Sequence, residues 1–311
     1  MSSSGHVRID TRDIPGWFSW TDQGVFEHLL GRQDAEPAGR LVELGAYLGK
    51  SAVVLGEYLR DGEELVVCDL FGDDAPDEHN SRENARSYGS LTRRAFEANY
   101  LRVHGALPTV VQAPTSMIRE HVQAGTTRFV HIDASHLYEH VVGDLEAARE
   151  MLRPGGVVVC DDYRSPHTPG VAAAVWSAVV GGPLRPFCLT PSKLYGSFDD
   201  PAAHREAVAV WVESVPGLNS EVQIIAGEPV VRVWPAAKPA PAPRKDPVGD
   251  KLDTVLSRLD RLDRRLERVE RTPAKVGPGR SGAAGGPARR LVRALLPVRL
   301  RRAVHRRLHR G

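Results

Sequence analysis

The chain has 311 residues, 26% charged and 41% hydrophobic, a balance that suits one large folded domain with appendages. No apolar run reaches the roughly 18 residues of a membrane span. The first residues lack the basic start and apolar stretch of a secretory signal, and three scattered cysteines without a CxxC pair argue against a disulfide framework or zinc ribbon. A reducing, cytoplasmic setting is the expectation.

In chain order, residues 1–38 bring Trp17, Phe18 and Trp20 together ahead of a helix whose Val25, Phe26, Leu29 and Leu30 share one face, with Thr21 or Asp22 expected as N-cap. Residues 39–235 then alternate β-rich runs with helix-length amphipathic stretches. Strands are expected at 41–44, 64–69, 109–113, 128–133 and 156–162, and helices near 49–60, 91–103, 115–124, 138–152 and 169–180. Near-continuous Val/Leu strands separated by helices predict an α/β fold with a mostly parallel central sheet and helices on both faces. VQIIAG and PVVRVW, flanking a short turn, predict a C-terminal antiparallel hairpin at the sheet edge.

Residues 236–250 read as an extended Pro/Ala linker. Over 251–271, Leu252, Val255, Leu259, Leu262, Leu266 and Val269 recur at alternating spacings of 3 and 4, a short coiled-coil-like seam that could pair two chains. Residues 272–311 read as a disordered to amphipathic, Arg-rich tail. The formal charge of +2 hides this asymmetry: Arg271 to Gly311 hold twelve Lys+Arg and no acid, leaving 29 basic against 39 acidic residues before them. Arginines interleaved with Leu291, Leu295, Leu296, Leu300, Val304 and Leu308 suit an anionic membrane surface, at the inner membrane face, better than nucleic acid.

The first strand runs into Glu43-Leu-Gly45-Ala-Tyr47-Leu-Gly49-Lys-Ser51 and then a helix. Glycines at a strand-to-helix turn permit tight backbone geometry and close ligand approach beside a helix N-terminus. Asp69 ends the second strand, 24 residues beyond Gly45, placed to accept from a ribose diol. Bulky Tyr47 stands where a dinucleotide turn has its middle glycine, and Glu43 would repel a pyrophosphate but tolerates a cationic amino or sulfonium group. The turn favours S-adenosylmethionine over NAD.

Asp133 ends the fourth strand, and Asp161 and Asp162 end the fifth, at the sheet edge where ligands bind in such folds. Each acid alone would serve as a helix or turn cap. Three together repel unless a cation lies between them, and their hard oxygens suit Mg²⁺, then Mn²⁺. His136, three residues after Asp133, is a candidate general base. His131 reads as a core histidine, and His140 as exposed or supporting. Residues 72–90, with Arg82, Arg86 and Tyr88, form a long polar connection that suits a lid.

ELGAYLGKSAVVL resembles the cofactor turn of the catechol O-methyltransferase group of class I methyltransferases. Phe129 to Val175, with LRPGGVVVCDDY, resembles still more the bacterial macrocin-type (macrolide-sugar) O-methyltransferases. The resemblance covers roughly residues 38–200 and implies a Rossmann-like class I methyltransferase fold. It implies that Glu43, Gly45, Tyr47 and Ser51, on the turn closed by Gly49, surround the methionine end of S-adenosylmethionine. It further implies that Asp69 holds the ribose, that Ser116 lies near the adenine, and that Asp133, Asp161 and Asp162 ligate the metal. Catechol-type enzymes usually carry asparagine at the last ligand and lysine where His136 stands, so the catechol pattern is not fully kept.

The expected function is divalent-metal-assisted O-methylation of a hydroxyl, best of a vicinal diol, on a small molecule such as a sugar-bearing natural product or phenol. In that scheme His136 or Asp133 takes the proton. A catalytically inactive scaffold acting through the seam and tail, and an NAD-linked oxidoreductase, are the competing readings.

Overall fold

The computed structural model describes residues 11, 13–33, 36–73, 91–236, 255–262 and 264. The chain divides into two units, Met1–Lys238 and Pro239–Gly311.

In the first unit a nine-stranded sheet carries helices on both faces. Helix α1 (Trp20–Arg32) precedes β1 (Arg40–Leu44), α2 (Lys50–Glu57), β2 (Leu65–Asp69), α3 (Arg93–Leu101) and β3 (Thr109–Gln112). A 3₁₀ turn (Thr115–Glu120), β4 (Thr127–Ile132), α4 (Tyr138–Met151), β5 (Leu152–Cys160) and α5 (Pro169–Val180) follow. The remainder is β6 (Arg185–Leu189), β7 (Leu194–Ser197), α6 (Ala202–Glu213), β8 (Leu218–Ile225) and β9 (Glu228–Pro235).

Strand order is β3-β2-β1-β4-β5-β7-β6-β9-β8. The first five strands are parallel, as the Val/Leu runs predict, and form the expected Rossmann-like half. The hairpin at 222–235 is β8 and β9, antiparallel at the far edge, with β8 beginning at Leu218. Strands β6 and β7 and helix α6 had no counterpart among the predicted elements. The helix expected near 115–124 is a single 3₁₀ segment. Helix α1 begins two to three residues earlier than expected: Ser19 is its N-cap, its hydroxyl accepting the Asp22 N–H at 3.0 Å. Asp22 is instead fully buried, accepting from Thr190, Ser192 and Tyr195 hydroxyls at 2.6–2.8 Å.

Strand alternation divides the core into two layers. Leu41, Val67, Phe129, Val157 and Val159 face α1, α2, α3 and α6. Val42, Val66, Val130 and Val158 face α4 and α5. The same parity sends Glu43, His131, Asp161 and Lys193 to the first layer, among apolar side chains. Burying those groups is costly unless each finds a partner, and the site grows from how they do.

In the second unit, residues 255–262 and 264 are helical, and Val255, Leu259 and Leu262 are exposed. The rest of the predicted seam, the linker, the Arg-rich tail and nearly all of the predicted lid, with Arg82, Arg86 and Tyr88, lie outside the described residues. Among the described residues no helix is long and apolar enough to cross a membrane. Cys68, Cys160 and Cys188 are all buried free thiols.

Candidate functional site

The carboxyl ends of β1, β2 and β4 open onto a pocket of about 290 Å³. Its wall includes Gly45, Tyr47, Ser51, Asp69, Ser116 and Asp133, six of the predicted cofactor, metal and catalytic residues, together with Trp17 and Phe18. Trp17 stacks obliquely on Tyr47, ring centroids 5.5 Å apart, at the pocket mouth.

Gly45 has φ +79°, and a Cβ there would stand 2.0 Å from the carbonyl oxygen of Asp133. Only glycine lets β1 turn this tightly against the end of β4. Asp69 fixes the turn. Its Oδ2 accepts the N–H groups of Ala46 and Tyr47 at 2.7 and 3.0 Å, and its Oδ1 accepts Phe71 N–H at 2.7 Å. Desolvation raises its pKa against these three bonds. The carboxylate expected to meet a ribose is therefore first a clamp on the turn, with lone pairs left over for a ligand.

Two predicted cofactor residues lie elsewhere. Gly49 is not in the pocket wall; it is the left-handed N-cap of α2, φ +89°, against Phe96. Glu43 is fully buried beneath the turn, where Ser51 Oγ donates to its Oε1 and the His131 ring lies 2.9 Å from the same oxygen. Its Oε2 is buried with no hydrogen-bond partner. Burial pushes the Glu43 carboxyl up to about 8, opposed by the Ser51 hydrogen bond and the Lys193 charge.

One pocket residue, Asp144, was not singled out in the sequence. Asp144 on α4 is buried in the wall, its Oδ2 without a hydrogen-bond partner. Desolvation pushes it up to about 7, opposed by a hydrogen bond from Thr115 and the charge of Arg119. Asp144 lies within the 138–152 helix, outside every motif that the sequence offers. His140 also lines the pocket, 2.9 Å from Ser135 Oγ.

Beside this pocket, sharing Asp133, Ala134 and Ser135 with it, lies a cleft of about 10 Å³ bounded also by His136, Asp161 and Asp162. The structure thus gathers the three predicted acids and the predicted base. His136 Nε2 stands 3.5 Å from Asp162 Oδ2. Asp162, at φ +55°, accepts from Ser165 Oγ at 2.5 Å. Gly170 at the start of α5 has no room for a Cβ, which would meet the His136 carbonyl oxygen at 2.5 Å, so α5 presses the His136 segment into place.

The cation is where the sequence reading and the structure part. Lys193, fully buried on the β6–β7 connection, places Nζ 2.9 Å from Asp161 Oδ2 and 3.9 Å from Asp133 Oδ2. The β5–β7 pairing dictates this: Cys160 lies opposite Leu194, and one step further sets Lys193 against Asp161. Its Nζ also lies 2.9 Å from His131 Nε2 and 5.7 Å from the centre of the Phe18 ring. Burial opposes its charge, but Asp161, Asp133 and Asp22 outweigh that, and the Lys193 pKa is raised. Burial and Lys193 hold His131 neutral, so its Nε2 accepts from Lys193 and its Nδ1–H donates to Glu43.

A hydrated Mg²⁺ fits this arrangement poorly. Such an ion keeps several waters in an octahedron, whereas the cleft admits about one water-sized body. Asp161 Oδ2 is already engaged by an ammonium, and Asp161 Oδ1 is buried without a partner. Among the described residues no three His, Cys, Asp or Glu side chains are arranged to hold a metal ion. The expected three-carboxylate metal centre gives way to a lysine-neutralised acid cluster.

Residues 42–163 match the family model described as "Methyltransferase domain". Solved structures similar to the chain include CalS11, a TDP-rhamnose 3'-O-methyltransferase of calicheamicin biosynthesis, at 20% identity over 58% of this chain and 82% of that one, TM-score 0.40. The O-methyltransferase NovP matches at 18% identity over 57% and 78% of the two chains, TM-score 0.46. TomG from Streptomyces achromogenes, an O-methyltransferase in complex with SAM, matches at 20% over 70% and 81%, TM-score 0.31. No curated protein matches the chain. The glycine turn clamped by Asp69 at the head of a parallel sheet falls inside residues 42–163, the segment that matches the methyltransferase-domain model.

Proposed function

We propose that the protein transfers the methyl group of S-adenosylmethionine to a hydroxyl of a polyhydroxylated small molecule, such as a sugar-bearing natural product or a phenol. The observation that carries this reading is the shared wall of the two cavities. Asp133, Ala134 and Ser135 separate a pocket large enough for a nucleoside from a cleft lined by carboxylates and an imidazole.

In this reading the turn at Gly45, with Tyr47 and Ser51, takes the amino-acid end of the donor. Asp69 meets the ribose, and Ser116 lies at the adenine end, where the Asp144 carboxyl in the pocket wall meets an exocyclic amine. The acid-rich cleft disfavours anionic acceptors, and its carboxylates accept hydrogen bonds from neighbouring hydroxyls, which is why a diol suits it. His136, oriented by Asp162, takes the proton as the acceptor oxygen attacks the sulfonium methyl in line. Holding donor and acceptor on either side of one wall supplies the proximity on which such a displacement depends.

The divalent ion expected from the sequence has no step here, because the acid cluster already contains a positive charge. Residues 251–311 are proposed as a dimerising seam followed by an arm for anionic lipid, in a protein working in the cytoplasm or at the inner membrane face. That proposal rests on charge and heptad spacing alone.

Isothermal titration with S-adenosylmethionine tests the donor, and a screen of diol-bearing sugars and phenols for methyl transfer tests the acceptor, with Asp161→Ala as control. Donor binding with transfer to a hydroxyl is expected. Binding of NAD instead, or no donor binding by folded protein, would overturn the reading.

A further inference from the structure

We propose that the Lys193 ammonium is the resident cation of the Asp133–Asp161–Asp162 cluster, and that it does the electrostatic work for which such a cluster would otherwise recruit a divalent metal. The acids converge because two neighbouring parallel strands, β4 and β5, and their turns end together, and their mutual repulsion must be offset. Lys193 offsets it from inside the protein. Nζ is 2.9 Å from Asp161 Oδ2 and 3.9 Å from Asp133 Oδ2, and the side chain has no solvent exposure.

Nothing about this lysine suggests a side chain free to swing away. It sits next to a strand paired on both sides, β5 and β6 flanking β7. Its N–H donors reach Asp161 Oδ2 and His131 Nε2, and the ring of Phe18 lies over it at 5.7 Å. Glu43, His131, Lys193 and Asp161 form one buried chain of polar contacts, crossing from β1 beneath the donor turn to β5 beneath the acceptor cleft. A divalent ion on Asp161 would have to displace an ammonium or share a carboxylate with it at close range, in a dry setting where like charges repel strongly.

Lys193 is thus a positioning residue. It keeps the cluster compact, holds His131 as the neutral Nδ1–H tautomer that reaches Glu43, and leaves Asp162 to orient His136. Metal-free turnover presupposes the methyl-transfer reading above, whereas occupancy of the cation position by lysine does not.

The test uses full-length protein stripped with chelator. Mn²⁺ binding is followed by electron paramagnetic resonance for wild type and Lys193→Met, and thermal midpoints are recorded with and without Mn²⁺. Wild type is expected to leave Mn²⁺ free up to about millimolar concentration, while K193M, with its acids uncovered, binds at least about tenfold more tightly and gains thermal stability from the ion. Stoichiometric Mn²⁺ binding by wild type that Asp161→Asn abolishes would overturn the proposal, as would a folded K193M with no gain in affinity. If K193M folds only when Mn²⁺ is present, the proposal stands, because the ion has replaced the lost charge. If it folds under neither condition, wild type decides: no Mn²⁺ binding, with methyl transfer undiminished in chelator, upholds the proposal, and loss of transfer restored by Mg²⁺ or Mn²⁺ overturns it. Mn²⁺ binding reports on the cation whether or not an acceptor is known, and donor calorimetry reports separately on the methyl-transfer reading.

Discussion

The backbone carbonyl of Asp133 lies where the Cβ of any residue but glycine at position 45 would have to be, 2.0 Å from it. The donor turn and the acid cluster are therefore locked together through main chain, before any ligand joins them. Gly45→Ala must push β1 away from β4 as well as occupy a left-handed φ of +79°. It should cost about 2–4 kcal/mol of stability and weaken donor binding at least about tenfold. Urea unfolding and donor calorimetry would show it, and an unchanged unfolding midpoint would refute the strain argument.

A second prediction concerns pH. Burial places Glu43 at about 8 in the folded protein, against about 4.3 in an unfolded chain. Below the lower value both states hold the proton. Between the two values the unfolded chain ionises while the folded protein retains its proton, so this contribution to stability is lost as pH rises through that interval. The loss should approach about 5 kcal/mol by pH 9. Glu43→Gln keeps an acceptor for Ser51 and His131 but cannot ionise. The gap between variant and wild type in urea unfolding should move in the variant's favour from pH 5 to pH 9, and parallel curves would contradict the assignment.

His136 should affect turnover and not donor affinity. His136→Ala is expected to lower kcat by about 10²–10⁴-fold, the usual range for a lost general base, with donor Kd unchanged by calorimetry. Asp162→Asn should lower kcat less, since it misorients the ring without removing it. Equal losses of donor binding and turnover in His136→Ala would recast the residue as structural.

Asp144 lines the pocket wall and holds one buried oxygen without a hydrogen-bond partner. Asp144→Asn keeps the side chain's shape and an acceptor for Thr115 while removing the charge that faces Arg119, and should weaken donor binding by about 3–30-fold if the carboxylate meets the adenine amine. Competition by adenosine and by inosine, which lacks the amine, separates the contact from a general effect: the preference for adenosine should shrink in the variant.

The parallel half of the fold was legible because its strands are buried on both faces and spell that out in Val and Leu. The glycine turn, Asp69 and the gathering of Asp133, His136, Asp161 and Asp162 at one sheet edge were legible for a related reason: parallel strands deliver their carboxyl ends to the same side. Lys193 was not. In TPSKLYGS a lone lysine reads as a solvated turn residue, and only antiparallel pairing to β5, a non-local event, carries it under Phe18 to Asp161. Asp22 failed as a cap for a similar reason, because its partners Thr190, Ser192 and Tyr195 are about 170 residues away in sequence. Sequence spacing exposes what neighbouring residues do to each other. It is silent on what a distant strand brings.

The connectivity of β7 has a consequence for biosynthesis. Asp133 and Asp161 leave the ribosome well before Lys193, so a nascent chain that has completed the five parallel strands still holds its acids without their counter-ion. The Rossmann-like half cannot settle electrostatically until residues near 193 emerge and thread back into the sheet. Truncations that look generous, ending just beyond the last parallel strand, should therefore yield a domain that has its topology but not its resting charge balance.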